Sequence, residues 1–248
     1  QFSSLDEVRY HETLAASALT SVKDPRNVLV LGGGDGLLAR ELLKYPGVRR
    51  VTVVDIDAKV TDLARNNRLL KEVNKGSLSD PRVKVVNADA FRFVDDAKGT
   101  YDAILIDLVD PSNERMAKLY SKQFYRNVSE RLSPKGVMVT QATSSFFSPH
   151  AFHIVANTVR AGQSGYAVFP FSHNIPSFGE WGFVLSTKNP SALLKQPLAP
   201  GTSYQNKELL AFMIRTQPPK VPHTEVSTLL EPRIIDAYES DMRQWRYY

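Results

Sequence analysis

A chain of 248 residues suits one large domain, or one domain with an appendage. Its 42% hydrophobic and 23% charged residues exclude wholesale disorder, and the lack of cysteine excludes disulfides, thiolate metal sites and cysteine nucleophiles. The net charge of +5 is spread as +1, +2 and +2 over residues 1–80, 81–187 and 188–248, too diffuse for a nucleic-acid footprint, and no apolar run reaches the ~18 residues that span a bilayer.

Residues 1–26 precede the first strand, with a helix expected over Tyr10–Leu19. Asn27–Gly33 (NVLVLGG) reads as a buried strand and Leu37–Tyr45 as a helix. Arg50–Ile56 is the second strand, followed by a helix over Ala58–Glu72. Val83–Asn87 is the third, with a short helix at Ala90–Asp95. Tyr101–Asp107 is the fourth, then a loop over 112–120 and a helix near Ser121–Leu132. Gly136–Gln141 is the fifth, followed by a helix from Pro149 to Arg160. Tyr166–Phe171 and Trp181–Thr187 lack an intervening helix, so they pair antiparallel at one edge. Residues 189–204 read as a loop, and the tail to Tyr248 contains a helix at Lys207–Arg215 and a proline-rich stretch. Valine- and leucine-rich strands alternating with helices predict an α/β fold: a doubly wound, mostly parallel, Rossmann-like sheet of about seven strands. The expected division is a leading segment 1–26, a catalytic domain 27–190 and a C-terminal extension 191–248.

The first strand runs into Gly32-Gly33-Gly34-Asp35-Gly36. Gly32, Gly34 and Gly36 fit G-x-G-x-G, the spacing of nucleoside-binding turns in S-adenosylmethionine enzymes. The dinucleotide pattern G-x-G-x-x-G would need glycine where Leu37 stands. Asp55 ends the second strand, where a carboxylate can accept from both ribose hydroxyls. Asp89-Ala90 follows the third, where an acid can accept from an adenine amine. Each acid can equally be the N-cap of the next helix. Methyltransferases usually carry an acid two residues before the first glycine, where this chain has Val30. Asp35 lies inside the turn instead. It suits an ammonium and repels a carboxylate, so a donor with an amine and no carboxylate fits better than intact S-adenosylmethionine.

The fourth strand ends in Asp107-Leu108-Val109-Asp110-Pro111. Two carboxylates there can hold cationic amines, and one can receive the proton as an amine attacks. A capped turn is the plainer reading of the same residues.

Together these stretches resemble the spermidine synthase family of aminopropyltransferases, in family order over residues 1 to about 190. The remaining pieces of the likeness are 1–12 (QFSSLDEVRYHE), Asp24-Pro25-Arg26, Val54-Asp55-Ile56-Asp57, Gln141, Ile175-Pro176-Ser177-Phe178 and Gly182-Phe183. The resemblance implies transfer of an aminopropyl group from decarboxylated S-adenosylmethionine to a di- or polyamine, leaving methylthioadenosine. That reaction needs no metal and no permanently bound cofactor. It implies that Asp107 accepts the proton, assisted by Tyr10. It places Gln1, His11, Asp35, Ile56 and the glycines of the turn at the donor, with Asp55 at the ribose and Asp89 and Ala90 at the adenine. Asp110, Gln141, Phe178 and Glu180 fall at the acceptor. Phe178 departs from the tyrosine usual in the family, and Glu180 adds a carboxylate in a shortened segment. Most of the family's small β-rich N-terminal domain does not precede Gln1, which would lie at its final hairpin. The expectation is therefore a processed or cut chain from the branch in which a membrane segment comes first, cytoplasmic and homodimeric. An amine N-methyltransferase and a non-catalytic nucleoside- or polyamine-binding domain remain the alternatives. His150 and His153, three apart, read as surface or core histidines rather than metal ligands.

Overall fold

The computed structural model describes residues 3–221 and 225–245. Seven strands form one sheet: β1 (Asn27–Gly32), β2 (Arg50–Asp55), β3 (Val83–Asn87), β4 (Tyr101–Asp107), β5 (Leu132–Ser144), β6 (Ala167–Ile175) and β7 (Gly179–Thr187), in the order β3-β2-β1-β4-β5-β7-β6. The first five pair in parallel, and β7 runs antiparallel to both β5 and β6. The closing pair does end the sheet, but the reversed strand sits one place in from the edge. After its tight turn β7 inserts between β5 and β6 and is buried along most of its length.

The pleat explains the sequence pattern. Val28, Val30, Val53, Ala103, Leu105, Val137 and Val139 face one side of the sheet, packing with α1 (Glu7–Leu19), α2 (Leu37–Leu43) and α9 (Lys207–Arg215). Leu29, Leu31, Ile104, Ile106 and Met138 face the other, against α5 (Ala90–Asp96), α7 (Lys122–Glu130) and α8 (Pro149–Gly162). Both faces being covered, the central strands read as continuous apolar runs.

Several elements depart from expectation. No strand precedes Asn27 among the described residues, and a turn at 4–6 leads into α1, which packs on the sheet. The helix expected over 58–72 is two helices, α3 (Ala58–Asn66) and α4 (Arg68–Asn74). Asn67 adopts extended backbone between them, and its side chain caps the second. The 112–120 segment contains a short helix α6 (Glu114–Ala117) and a 3-10 turn, Lys118–Tyr120. The tail carries α10 (Arg233–Arg243), which docks on α8.

Candidate active site

Parallel strands bring the ends of β1, β2, β3 and β4 to one rim, the usual place for ligands on open α/β sheets. Gly32 turns the chain away from β1 with φ +86°, and a Cβ there would meet the backbone oxygen of Asp107 at 2.0 Å. Gly34 lets the turn lie against the next strand, since its Cβ would fall 2.6 Å from Asp55 Oδ2. That oxygen accepts from Gly34 N–H at 2.9 Å, while Oδ1 accepts from Asp57 N–H at 2.9 Å. Gly36 is the N-cap of α2, and Asp35 accepts from Leu37 N–H at 2.9 Å.

A cavity of about 320 Å³ opens beside the turn. Its walls include Gly32, Asp55, Ile56, Asp89, Ala90 and Asp107. That volume lies at the small end of the ~300–1,000 Å³ usual for ligand pockets. Larger concavities exist, but the 700 Å³ one lies at the opposite end of the strands, around Arg49, Arg82 and Tyr101. Ile56 is 69% exposed at the mouth, an apolar surface suited to the face of a base. Asp89 Oδ1 caps α5 through Phe91 and Arg92 N–H, so the capping reading of this acid holds alongside its place in the cavity wall. Its Oδ2 pairs with Lys118, a cation from the 3-10 turn that sequence reasoning did not single out.

Tyr10 and Asp107 meet across the floor of the rim, the phenol donating to Oδ1 at 2.6 Å. Helix α1 delivers Tyr10 and, one residue on, His11. Burial and the adjacent Asp107 hold the Tyr10 proton in place far above its ordinary range. His11 Nδ1 donates to Glu7 O (2.7 Å) and Glu7 Oε2 (2.9 Å), so the other nitrogen faces the site. Nε2 stands 3.9 Å from Asp107 Oδ2 and, among the described residues, has no hydrogen-bond partner. Burial opposes charge on His11, but the Glu7 hydrogen bond, Asp35 and Asp107 outweigh it and raise its pKa. Glu7 is bound in turn by both terminal nitrogens of Arg40 (2.8 and 2.9 Å). Burial would raise its pKa, yet its bonds to His11 and Arg40 bring it down to about 2. Asp35 is raised by burial and by Asp107, with His11 pulling the other way.

Asp110 lies beyond β4, and burial raises its pKa against the hydrogen bond from Tyr238. The Tyr238 hydroxyl, on α10, donates to Asp110 Oδ2 at 2.9 Å. Gln141 is turned inward where β5 shifts register between Gln141 and Ser144. Its Nε2 donates to Leu108 O (2.7 Å) and to the Tyr120 hydroxyl, which itself donates to Val109 O at 2.8 Å. Phe178 and Glu180 lie on the β6–β7 hairpin and bond within it. Phe178 packs edge-on against Trp181, and the exposed Glu180 accepts from Ser172 Oγ at 3.0 Å. Gln1 lies outside the described residues. His150 and His153 hold the tail, through Asp241 and Pro219 O respectively.

The chain has the fold of a crystal structure of spermidine synthase in complex with the transition state analogue AdoDATO, with a TM-score of 0.79 at 24% identity over 86% of this chain and 74% of that one. It is 39% identical to a polyamine aminopropyltransferase of Oceanobacillus iheyensis and 43% identical to polyamine aminopropyltransferase 1 of Streptomyces coelicolor, each over the whole of this chain. It spans about half the length of these relatives, 48% and 46%. Residues 7–196 match the spermine/spermidine synthase domain, and with these relatives they establish that the chain belongs to the spermine/spermidine synthase domain family.

Proposed function

We propose that this chain transfers the aminopropyl group of decarboxylated S-adenosylmethionine to a di- or polyamine. The observation that carries the reading is the Tyr10–Asp107 pair, with Asp107 in the wall of the cavity and the Asp35 and Asp110 carboxylates near enough to act on the pair electrostatically. The names of the relatives support it.

In the reaction an amine lone pair attacks the aminopropyl carbon next to the sulfonium. The C–N bond forms as the C–S bond breaks, and the sulfur keeps the electron pair as neutral methylthioadenosine. Asp107 Oδ2 takes the proton from the nitrogen, while Tyr10 holds Oδ1. The sulfonium leaves readily, so positioning supplies most of the catalysis. Asp55 reads the ribose, Asp89 and Ala90 the adenine, and Ile56 covers the base. Asp35, beside His11, holds the donor's amine, and Asp110 with Gln141 receives the acceptor. Segment 1–26 contributes Tyr10 and His11, residues 27–190 the acids, and 191–248 closes the acceptor end. A homodimer and a cytoplasmic location belong to the same proposal, and light scattering of the purified chain tests the first.

Incubation with decarboxylated or intact S-adenosylmethionine and a panel of diamines, with products identified by mass, tests the activity. Methylthioadenosine and an aminopropylated amine are expected. D107N should lower turnover at least about 100-fold, within the usual span of acid–base contributions, and leave donor affinity within twofold. A methylated amine from intact donor would overturn the reading. So would D107N turnover within about threefold of wild type.

A further inference from the structure

We infer that the C-terminal helix is part of the acceptor site, with Tyr238 as the positioning residue that sets the Asp110 carboxylate for an amine. This rests on the aminopropyl-transfer reading and extends it to a segment beyond the matched residues 7–196.

Helix α10 presents one face to the body of the protein, defined by Ile234, Tyr238 and Asp241, which lie four and three residues apart. Both flanking residues are locked. Ile234 is fully buried in the cluster on the α8 side of the sheet. Asp241 is 1% exposed, accepts from Ala151 N–H at 3.0 Å and pairs with His150 Nδ1 at 2.7 Å. The half-buried phenol between these anchors therefore has little freedom, and its hydroxyl meets Asp110 Oδ2 at 2.9 Å. Nearby Trp245 donates to Phe147 O at 2.9 Å and contacts the Phe146 and Phe147 rings, tying the end of α10 to the segment that follows β5.

The consequence falls on Asp110. An isolated buried carboxylate tends to take up a proton, and a neutral acid cannot hold an ammonium. A donated O–H favours the ionised form and fixes the plane of the carboxylate. This bond to the carboxylate thus comes from the far end of the chain, from the Tyr238 hydroxyl. Tyr238 is the phenol bonded to Asp110, and so the one that sets acceptor recognition there.

The test compares wild type, Y238F, D110N and the double variant, with saturating decarboxylated S-adenosylmethionine and 1,4-diaminobutane, 1,5-diaminopentane or a triamine as acceptor. Y238F should raise the acceptor KM at least fivefold, with donor KM within twofold and Tm within about 2 °C. The acid limb of its kcat/KM profile should move to higher pH, because Asp110 loses a bond that favours ionisation. The double variant should be no worse than D110N alone. An unchanged acceptor KM, an equal rise in donor KM, or additive effects would each overturn the inference. Calorimetric titration with 1,4-diaminobutane separates the two levels. A wild type that binds the diamine through Tyr238 but forms no methylthioadenosine loses the transfer reading and keeps the site. A wild type that neither binds nor transfers loses both.

Discussion

Behind Tyr10 and Asp107 runs a line of charge from Asp107 through His11 and Glu7 to Arg40, almost all of it buried. Glu7 is its most informative member. Its carboxylate falls from an ordinary 4.5 to about 2, because its bonds to His11 and Arg40 outweigh the penalty of burial. A depressed acid contributes stability that is complete above its unfolded pKa and is lost as pH falls toward the folded one. The Tm gap between wild type and E7Q should therefore be fullest between pH 4.5 and 6.5, where Glu7 is ionised and His11 charged, and shrink steadily from 4.5 to 2. Thermal unfolding from pH 2.5 to 7 checks this, and a gap that persists undiminished at the acid end would sink the account. The same residues show what a sequence reveals about a site. Asp35, Asp55, Asp89, Asp107 and Asp110 were legible because each follows a strand, and parallel strands put their ends on one rim. Glu7, Arg40, Lys118 and Tyr238 were not. Their roles come from pairings across the fold, such as Glu7 with Arg40 or Asp110 with Tyr238, which no local spacing encodes.

At the level of elements, the join between α8 and α10 shows how a tail becomes structural. Helix α8 begins at Pro149 without a side-chain cap from Ser148. Asp241 supplies the missing acceptor from another helix, taking the Ala151 N–H and placing a negative charge at the positive end of the α8 dipole. An N-terminal cap contributes typically ~1 kcal/mol and up to about 2. D241A also strands the His150 contact, so a Tm drop of about 3–6 °C is expected for a chain of this length. Amide exchange should quicken first in α10 and around residues 147–151. A D241A protein with unaltered exchange in α10 would show that the anchor lies elsewhere. The strands and most helices were readable because apolar runs and 3.6-residue periods survive in short windows. Helix α10 was masked by the prolines before it. The spacing of Ile234, Tyr238 and Asp241, with Pro232 at the entrance, was the available signal. The break at Asn67 was hidden for another reason. Asparagine favours caps over helix interiors, but good helix formers on both sides let the helical pattern read straight through Asn67.

Over the whole molecule, charge is arranged against the proposed amine ligand. The chain is basic, with 31 lysines and arginines against 26 acids, while the rim collects Asp35, Asp107 and Asp110. A cationic acceptor approaching from solvent meets a net positive field, and attraction begins only at the pocket. Long-range steering operates across the solvent and is screened beyond about 8 Å at physiological salt. Contacts among buried carboxylates are screened far less. Acceptor capture should therefore be nearly indifferent to ionic strength, because there is little favourable distant field to remove. Raising salt from 0.02 to 0.2 M should change kcat/KM for 1,4-diaminobutane by less than about threefold, whereas electrostatically steered association falls steeply over such a range. Initial rates at fixed pH with saturating donor measure it. A tenfold fall would mean that a local acidic field at the mouth, and not the buried carboxylates alone, draws the amine in.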